Sequence, residues 1–367
     1  SRIEEEFSIF FSTLPPQLLR EIGAVPTLTE PVNVMLISHG HFDHYAALFT
    51  IPNPPAIYGS KFTMLTIEGA QQWRWHRNYE QPKCQVQTFD KPIEIEHVKV
   101  TAISADHTIP GAYCFLIETS NATILYASDY RLYNGHKFYH AVSNRVDALI
   151  TEGTNIGKPS TRLTEKRSIE LTREVISEHK GLITISVSPN NIFRIACMIQ
   201  MARSLGREVC LTLDILEKLM KASTIYNVPK VNETSLLEVA KAPENFIVLT
   251  GQIDNYHVTM FRAEFSRLFT PEGAYVVSHN TMMSPFSQLA YENLKHFLSH
   301  RACPLYYIHS SGHSYLPEIQ KMIENLHPHL VFPIYTEFPE AFRQFCPTDI
   351  NVVIPERCKK YYFRKPL

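Results

Sequence analysis

An α/β fold built in two sections is what this sequence predicts, and three observations carry the prediction. Short apolar runs of strand length alternate along the chain with segments of helical periodicity. The texture changes near Lys158: hairpins precede it, and repeated β-α units, the mark of a parallel sheet flanked by helices, follow it. Several predicted strands also end directly on histidine or acidic residues, so sheet edges carry the chemistry. At 367 residues the chain has room for two domains, or for one large domain with an insertion.

Taken in order, Asn33–Ser38 reads as a buried strand running into the first histidines. The alternation over Ile93–Ser104 predicts a hairpin. Ala112–Ile117 and Thr123–Ala127 predict another, turning at Ser120-Asn121, and Ala148–Thr151 reads as one more buried strand. The spacing of Trp73, Trp75, His76 and Tyr79 fits one amphipathic helix, which favours packing over base stacking. Past Lys158 a helix over 164–179 is expected, with Thr164 as its N-cap. Strand Leu182–Val187 follows. The next helix shows Ile192, Ile195, Ala196, Ile199 and Ala202 on one face and stops at Gly206. Strands Val209–Leu213, Phe246–Thr250, Ala274–Ser278 and Leu305–His309 alternate with further helices, before helix 316–326 and strand Leu330–Ile334.

Composition narrows the function classes. Hydrophobic residues make up 44% and charged residues 19%, ordinary for a globular protein. No apolar run reaches the ~18 residues a membrane helix needs, and no secretory signal opens the chain, so no membrane partner is expected. The seven cysteines are odd in number and scattered, with no C-x-x-C pair. That pattern fits reduced, buried thiols and a cytoplasmic location, and argues against zinc held by cysteine. The formal net charge of -1 gives no global basic excess, though a local basic channel in a neutral protein still suits phosphate.

The strongest local signal is His39, His41, Asp43 and His44, four candidate ligands within six residues at the end of a strand. Three imidazoles and a carboxylate at that spacing can point into one small volume, the donor set zinc prefers. His107 and Asp129 each follow a strand as well, as a shared site at one sheet edge would require.

These motifs resemble a known superfamily. LISHGHFDH, ADHTIPGA and YASDYRL are similar to the second, third and fourth motifs of the metallo-β-lactamase fold. The resemblance implies an αββα sandwich in which His39, His41 and His107 hold a first zinc, Asp43 and His44 a second, and Asp129 bridges them. Residues 152 to 338 resemble the β-CASP nucleases, the RNase J group above all. TEKRSIELTREV, SPNNIFRI and GREVCLTL match the start of the inserted β-CASP domain. Glu152 in TEGTN takes the place of an acidic residue after a strand, and His309-Ser310-Ser311-Gly312-His313 matches the H-x-S-G-H motif. The implied organisation is a core over 1–157, the β-CASP insert over 158–303 and a return to the core over 304–367. Two departures stand out. In FPIYTEFPE, Tyr335 takes the place of a histidine that the family gives to the second zinc. Only 38 residues precede His39, so the family's opening strands are expected to be missing from this sequence.

The resemblance sets the chemistry expected: hydrolysis of phosphodiester bonds, with RNA favoured over DNA. Asp43 is expected to serve as ligand and to orient the attacking water. His313 would contact the scissile phosphate or protonate the leaving oxygen, oriented by Glu152. Asn191 and Arg194 at a helix start, with Ser278 and Gly251 at strand ends, suit a substrate phosphate, and His309 and Ser311 join them through the motif. One tight zinc and a more labile second ion are expected, with manganese able to substitute, and relatives imply a homodimer. Two rival readings compete: a small-molecule hydrolase acting on a thioester or lactone, and a weakened homologue that binds RNA or protein as a scaffold.

Overall fold

The computed structural model describes residues 32–51, 55–71, 86–89, 91–143, 145–158, 163–252, 265–281, 285–356 and 359–362. The aromatic stretch from Trp73 to Tyr79, Cys84, Cys358 and the segment before Val32 lie outside them. The chain divides into two compact units: Leu163–Ser311 forms one, and the described residues before and after it form the other.

The second of these holds two sheets. β1 (Val34–Leu36), β2 (Ala56–Gly59) and β3 (Val86–Thr88) make a small parallel sheet, with α1 (Phe42–Tyr45) after β1 and α2 (Lys61–Gln71) after β2. β4 (Ile93–Ile95), β5 (Val98–Ser104), β6 (Tyr113–Glu118), β7 (Thr123–Ala127) and β8 (Ala148–Glu152) follow. Both expected hairpins form, as β4-β5 and β6-β7. Later in the chain come α8 (Leu316–Leu326), β14 (Leu330–Ile334), α9 (Phe342–Phe345) and β15 (Asn351–Val352). The large sheet runs β15-β14-β8-β7-β6-β5-β4.

Strand alternation gives each sheet two faces. Cys114 and Leu116 of β6, with Leu125, Leu149 and Val331, pack against Ile319, Met322 and Ile323 of α8. Phe115, between them in sequence, turns the other way and meets Phe89 beside β3, ring centres 5.5 Å apart. On the small sheet, Ile37 and Ile57 pack with Met64 and Ile67 of α2. Helix, sheet, sheet, helix is thus the layer order, the αββα sandwich implied by the motifs.

The other unit contains α3 (Glu165–Glu178), β9 (Ile183–Val187), α4 (Ile192–Ser204), β10 (Glu208–Leu211), α5 (Leu213–Ser223), α6 (Leu236–Val239), β11 (Phe246–Thr250), β12 (Ala274–Ser278), α7 (Pro285–Ser299) and β13 (Leu305–Tyr307). Its sheet is wholly parallel, in the order β10-β11-β9-β12-β13. β9 and β12 are buried along their whole lengths, as the strands of a sheet covered on both faces are. Thr164 caps α3, its hydroxyl accepting from the Arg167 N–H at 3.1 Å. Gly206 follows α4 with φ at +73°, a conformation glycine adopts without strain. One expected strand is too long. Leu213 begins α5 and is 76% exposed, because the chain leaves β10 at Leu211 and Asp214 favours the first turn of a helix.

Of the described cysteines, Cys114, Cys210 and Cys303 are buried free thiols and Cys346 is half-buried, but Cys197 is exposed on α4, unlike the expected buried set. Among the described residues no helix is long and apolar enough to cross a membrane.

Candidate metal centre

Topology gathers the candidate ligands. β5, β7, β8 and β14 all run the same way in the large sheet, so the residues that follow them share one edge. His107 follows β5, Asp129 follows β7, Glu152 ends β8 and Tyr335 comes directly after β14. The loop from β1 brings His39 and His41, and α1 brings Asp43 and His44. The loop 37–39 is tied to both sheets: Ile37 N–H donates to the Tyr58 carbonyl at 2.8 Å, and the Ser38 carbonyl accepts from Tyr113 N–H at 2.8 Å.

His39, His41, His107 and Asp129 each direct one ligand atom into a space where all lie within 4.8 Å of one another. His41 Nδ1 stands 3.1 Å from His39 Nε2 and 3.1 Å from His107 Nε2. Asp129 Oδ2 is 3.5 Å from His39 Nε2, 3.7 Å from His107 Nε2 and 3.2 Å from His44 Nε2. That single oxygen therefore faces both halves of the cluster, as a bridging carboxylate must. Asp43 Oδ2 completes the second half, 3.3 Å from His44 Nε2.

The outward nitrogens reveal what the inward ones present. His107 Nδ1 lies 2.7 Å from the Gly312 carbonyl, which can only accept, so Nδ1 carries the proton and Nε2 turns a lone pair inward. His39 Nδ1 meets the Ser38 hydroxyl at 3.0 Å, and His41 Nε2 meets the Thr108 hydroxyl at 3.5 Å. Partners of this kind fix ring orientation and tautomer in metal sites. Neutral imidazoles are also what burial enforces. It holds His39 and His107 well below the ordinary range and His41 down at about 4, against the opposing pull of Asp129. Converging lone pairs beside a carboxylate repel one another unless a cation lies between them.

The second half behaves differently. Burial would lower His44, but Asp129 and Asp43 outweigh it and lift His44 to about 10. Burial would raise both carboxyls, yet His313 and His44 hold Asp129 well below the carboxylate range, and His44 with the Tyr335 hydroxyl does the same for Asp43. His44 Nε2 is nonetheless buried without a well-formed hydrogen bond, although both carboxylate oxygens lie near it. An orphaned nitrogen between two carboxylates is the arrangement of ligands that share a third partner. Both halves fit divalent metal, and the donor set of imidazole and carboxylate suits zinc.

Next to this cluster stands an ion pair. Glu152 is fully buried, and its Oε2 lies 3.2 Å from His313 Nδ1 while accepting from Thr154 N–H at 2.9 Å. Burial works against the His313 imidazolium, but Glu152 and then Asp129 raise it to about 9. His313 Nε2 faces Asp129 Oδ2 at 3.9 Å. Tyr335 closes the same edge: its hydroxyl donates to Asp43 Oδ2 at 2.5 Å, and its ring stacks on His313 at 6.1 Å between centres.

The expected phosphate-binding residues fare unevenly. Arg194, expected at a substrate phosphate, is 1% exposed. Its guanidinium grips both oxygens of Glu165 at 2.5 and 2.6 Å and donates to the Ser278 and Ser310 carbonyls at 2.9 and 3.0 Å. The sequence pattern of an arginine at a helix start looks the same for an exposed ligand and for this buried brace. Asn191 is buried as the N-cap of α4, and Ser278 is buried beside Arg194. Gly251 follows β11 and lies against the Asp214 carboxylate, which an added Cβ would displace. His309 and Ser311 are half-buried. His309 Nδ1 lies 3.3 Å from Arg194, and burial with that cation pushes it down to about 3.

Sequence reasoning passed over the supports. Ser38 links His39 to Ser128 at 2.9 Å, and Asp106 beside His107 is held by Arg131 and Asn134 at 2.8 and 3.0 Å. Gly312 lies so close to the His107 ring that an added Cβ would meet it at 2.8 Å. The only sequence trace of these roles is adjacency to a ligand.

Comparison with known proteins agrees with this geometry. A model of the β-lactamase superfamily domain matches residues 11–203. The chain is 24% identical to the Ribonuclease J of Mycoplasma genitalium over 84% of its own length and 58% of that protein's. It is also 24% identical to the Ribonuclease J of Pyrococcus abyssi, covering 89% of this chain and 80% of the relative. Against the two mycoplasma relatives the chain spans 58% of their length. A crystal structure of a protein of unknown function from Enterococcus faecalis V583 shares the fold, with a TM-score of 0.69 and 18% identity over 90% of this chain and 82% of that one. The likeness to RNase J-like β-CASP proteins thus runs along most of the sequence, while the domain match alone covers more than half of it, and the chain belongs to the β-lactamase superfamily.

Proposed function

We propose that this protein is a zinc-dependent nuclease that hydrolyses phosphodiester bonds, with RNA preferred to DNA. The observation that carries the proposal is the convergence of three inward imidazole nitrogens on Asp129, with the His313–Glu152 pair alongside. The likeness to Ribonuclease J proteins supports RNA as the substrate class.

In this reading His39, His41 and His107 hold a first ion, Asp43 and His44 a second, more labile one, and Asp129 is shared; manganese can substitute for zinc. Bound there, divalent ions supply Lewis acidity, acidifying water and offsetting charge on a phosphoryl oxygen. The chain's own residues do the rest. His313, protonated at neutral pH, offers its Nε2 proton to a phosphate oxygen or to the departing oxygen. Glu152 fixes the ring by holding Nδ1. Asp43, whose side chain is 36% exposed, stays ionised and orients the attacking water. His309 and Ser311, half-buried in the same motif, are assigned to the substrate backbone, and 158–303 to the β-CASP insert. The reading extends to a cytoplasmic, homodimeric protein.

The test is cleavage of matched end-labelled RNA and DNA with added zinc or manganese. RNA should be cut faster, and chelator should stop the reaction. A folded, metal-loaded protein that spares both polymers would overturn the reading, and hydrolysis of a thioester or lactone instead would point to the small-molecule class.

A further inference from the structure

Asp43 Oδ2 has two claimants. It faces His44 Nε2 at 3.3 Å, across the space a second ion would occupy, and it accepts the Tyr335 hydroxyl at 2.5 Å. Tyr335 is held there from both ends. Its carbonyl accepts from Gly153 N–H and from the Thr154 hydroxyl, each at 3.4 Å. Its ring lies 26° from parallel with His313 and 5.5 Å from the centre of His44. Its backbone sits at φ +49°, a left-handed conformation that costs a non-glycine residue energy and persists only where the surroundings enforce it.

We infer that Tyr335 is a built-in competitor for the second cation, its hydroxyl and the ion vying for Asp43 Oδ2. This rests on the metal-centre reading above and adds a regulatory element to it. The first ion's donors, His39, His41, His107 and Asp129, converge within 4.8 Å of one another, while the tyrosine hydroxyl is spent on Asp43, so the competition falls on the second ion. The second ion has one imidazole, His44, and two carboxylates, one of which must first release a charge-assisted hydrogen bond. The site therefore holds one ion firmly and fills its second position only when free metal is plentiful, so that ambient metal concentration sets the occupied fraction.

Tyr335→Phe removes the hydroxyl and keeps the ring. Tyr335 is 47% exposed, so the substitution leaves the packed core alone. Zinc chloride is titrated into chelator-stripped wild type and Tyr335→Phe by calorimetry, with stoichiometry checked by mass spectrometry of metal content. The first ion should bind both proteins equally, and the second should bind Tyr335→Phe about tenfold more tightly or better. Equal or weaker second-ion affinity in Tyr335→Phe, with the first ion intact, would overturn the competition and leave the metal centre standing. Failure of either protein to take a first ion would overturn the metal centre itself, and the competition with it.

Discussion

Replacing Glu152 by Gln isolates one buried charge pair of the site. Glu152 is fully buried and lies 3.2 Å from His313 Nδ1, and the amide would keep the acceptor for Thr154 N–H while losing the charge. Raising an imidazole from its ordinary 6.5 to about 9 corresponds to ~3 kcal/mol, with Glu152 the largest favourable contributor and Asp129 the next. Because the folded value is raised, this stabilisation is complete below pH 6.5 and fades as pH climbs through 9. Chelator-stripped Glu152→Gln should therefore lose about 2–3 kcal/mol against wild type at pH 6, and far less at pH 10. Urea unfolding of both proteins at the two pH values measures the difference. His44, which titrates near 10, is common to both and cancels. A loss that is the same at both pH values would refute the ion pair, and no loss at either would refute the burial argument as well.

Further predictions concern the ligands and the buried brace. Asp43→Asn should keep the fold and cost ~3 kcal/mol or more in transition-state stabilisation, seen as at least about a hundredfold fall in kcat/KM. The second ion must displace the proton that Asp129 and Asp43 hold on His44 up to about 10, so its apparent affinity should rise with pH across the neutral range. Calorimetry in buffers of different ionisation enthalpy would count the released proton. Arg194→Met should destabilise the protein by about 2 kcal/mol or more, because it removes the buried guanidinium that holds Glu165 and the Ser278 and Ser310 carbonyls. Unchanged stability with weakened RNA binding would restore Arg194 as a phosphate ligand.

Much of this was legible because strand ends and metal motifs are local. His39, His41, Asp43 and His44 sit within six residues, and His107 and Asp129 announce themselves by following β5 and β7. The parallel unit was readable for a similar reason, since short strands rich in Ile and Val, such as β9 and β12, alternate with helical periodicity. What escaped was whatever depends on a partner far away in sequence. An arginine three residues into α4 looks like a phosphate ligand until Glu165 and two distant carbonyls are seen around it. Tyr335 reads simply as a lost histidine, whereas its hydroxyl reaches Asp43, 292 residues away, and competes there. Leu213 shows the local limit: an exposed leucine adjoining a strand carries the same letter as a buried one.

Anomalous diffraction at the zinc edge, from crystals grown with zinc, tests the metal centre most directly. The strongest peak should lie ~2.0–2.2 Å from each of His39 Nε2, His41 Nδ1 and His107 Nε2, with Asp129 Oδ2 at a similar distance. A weaker second peak between His44 Nε2 and Asp43 Oδ2 should strengthen as zinc is raised. Crystals that bind zinc elsewhere, with these four side chains still converging on a point without a peak, would contradict the account.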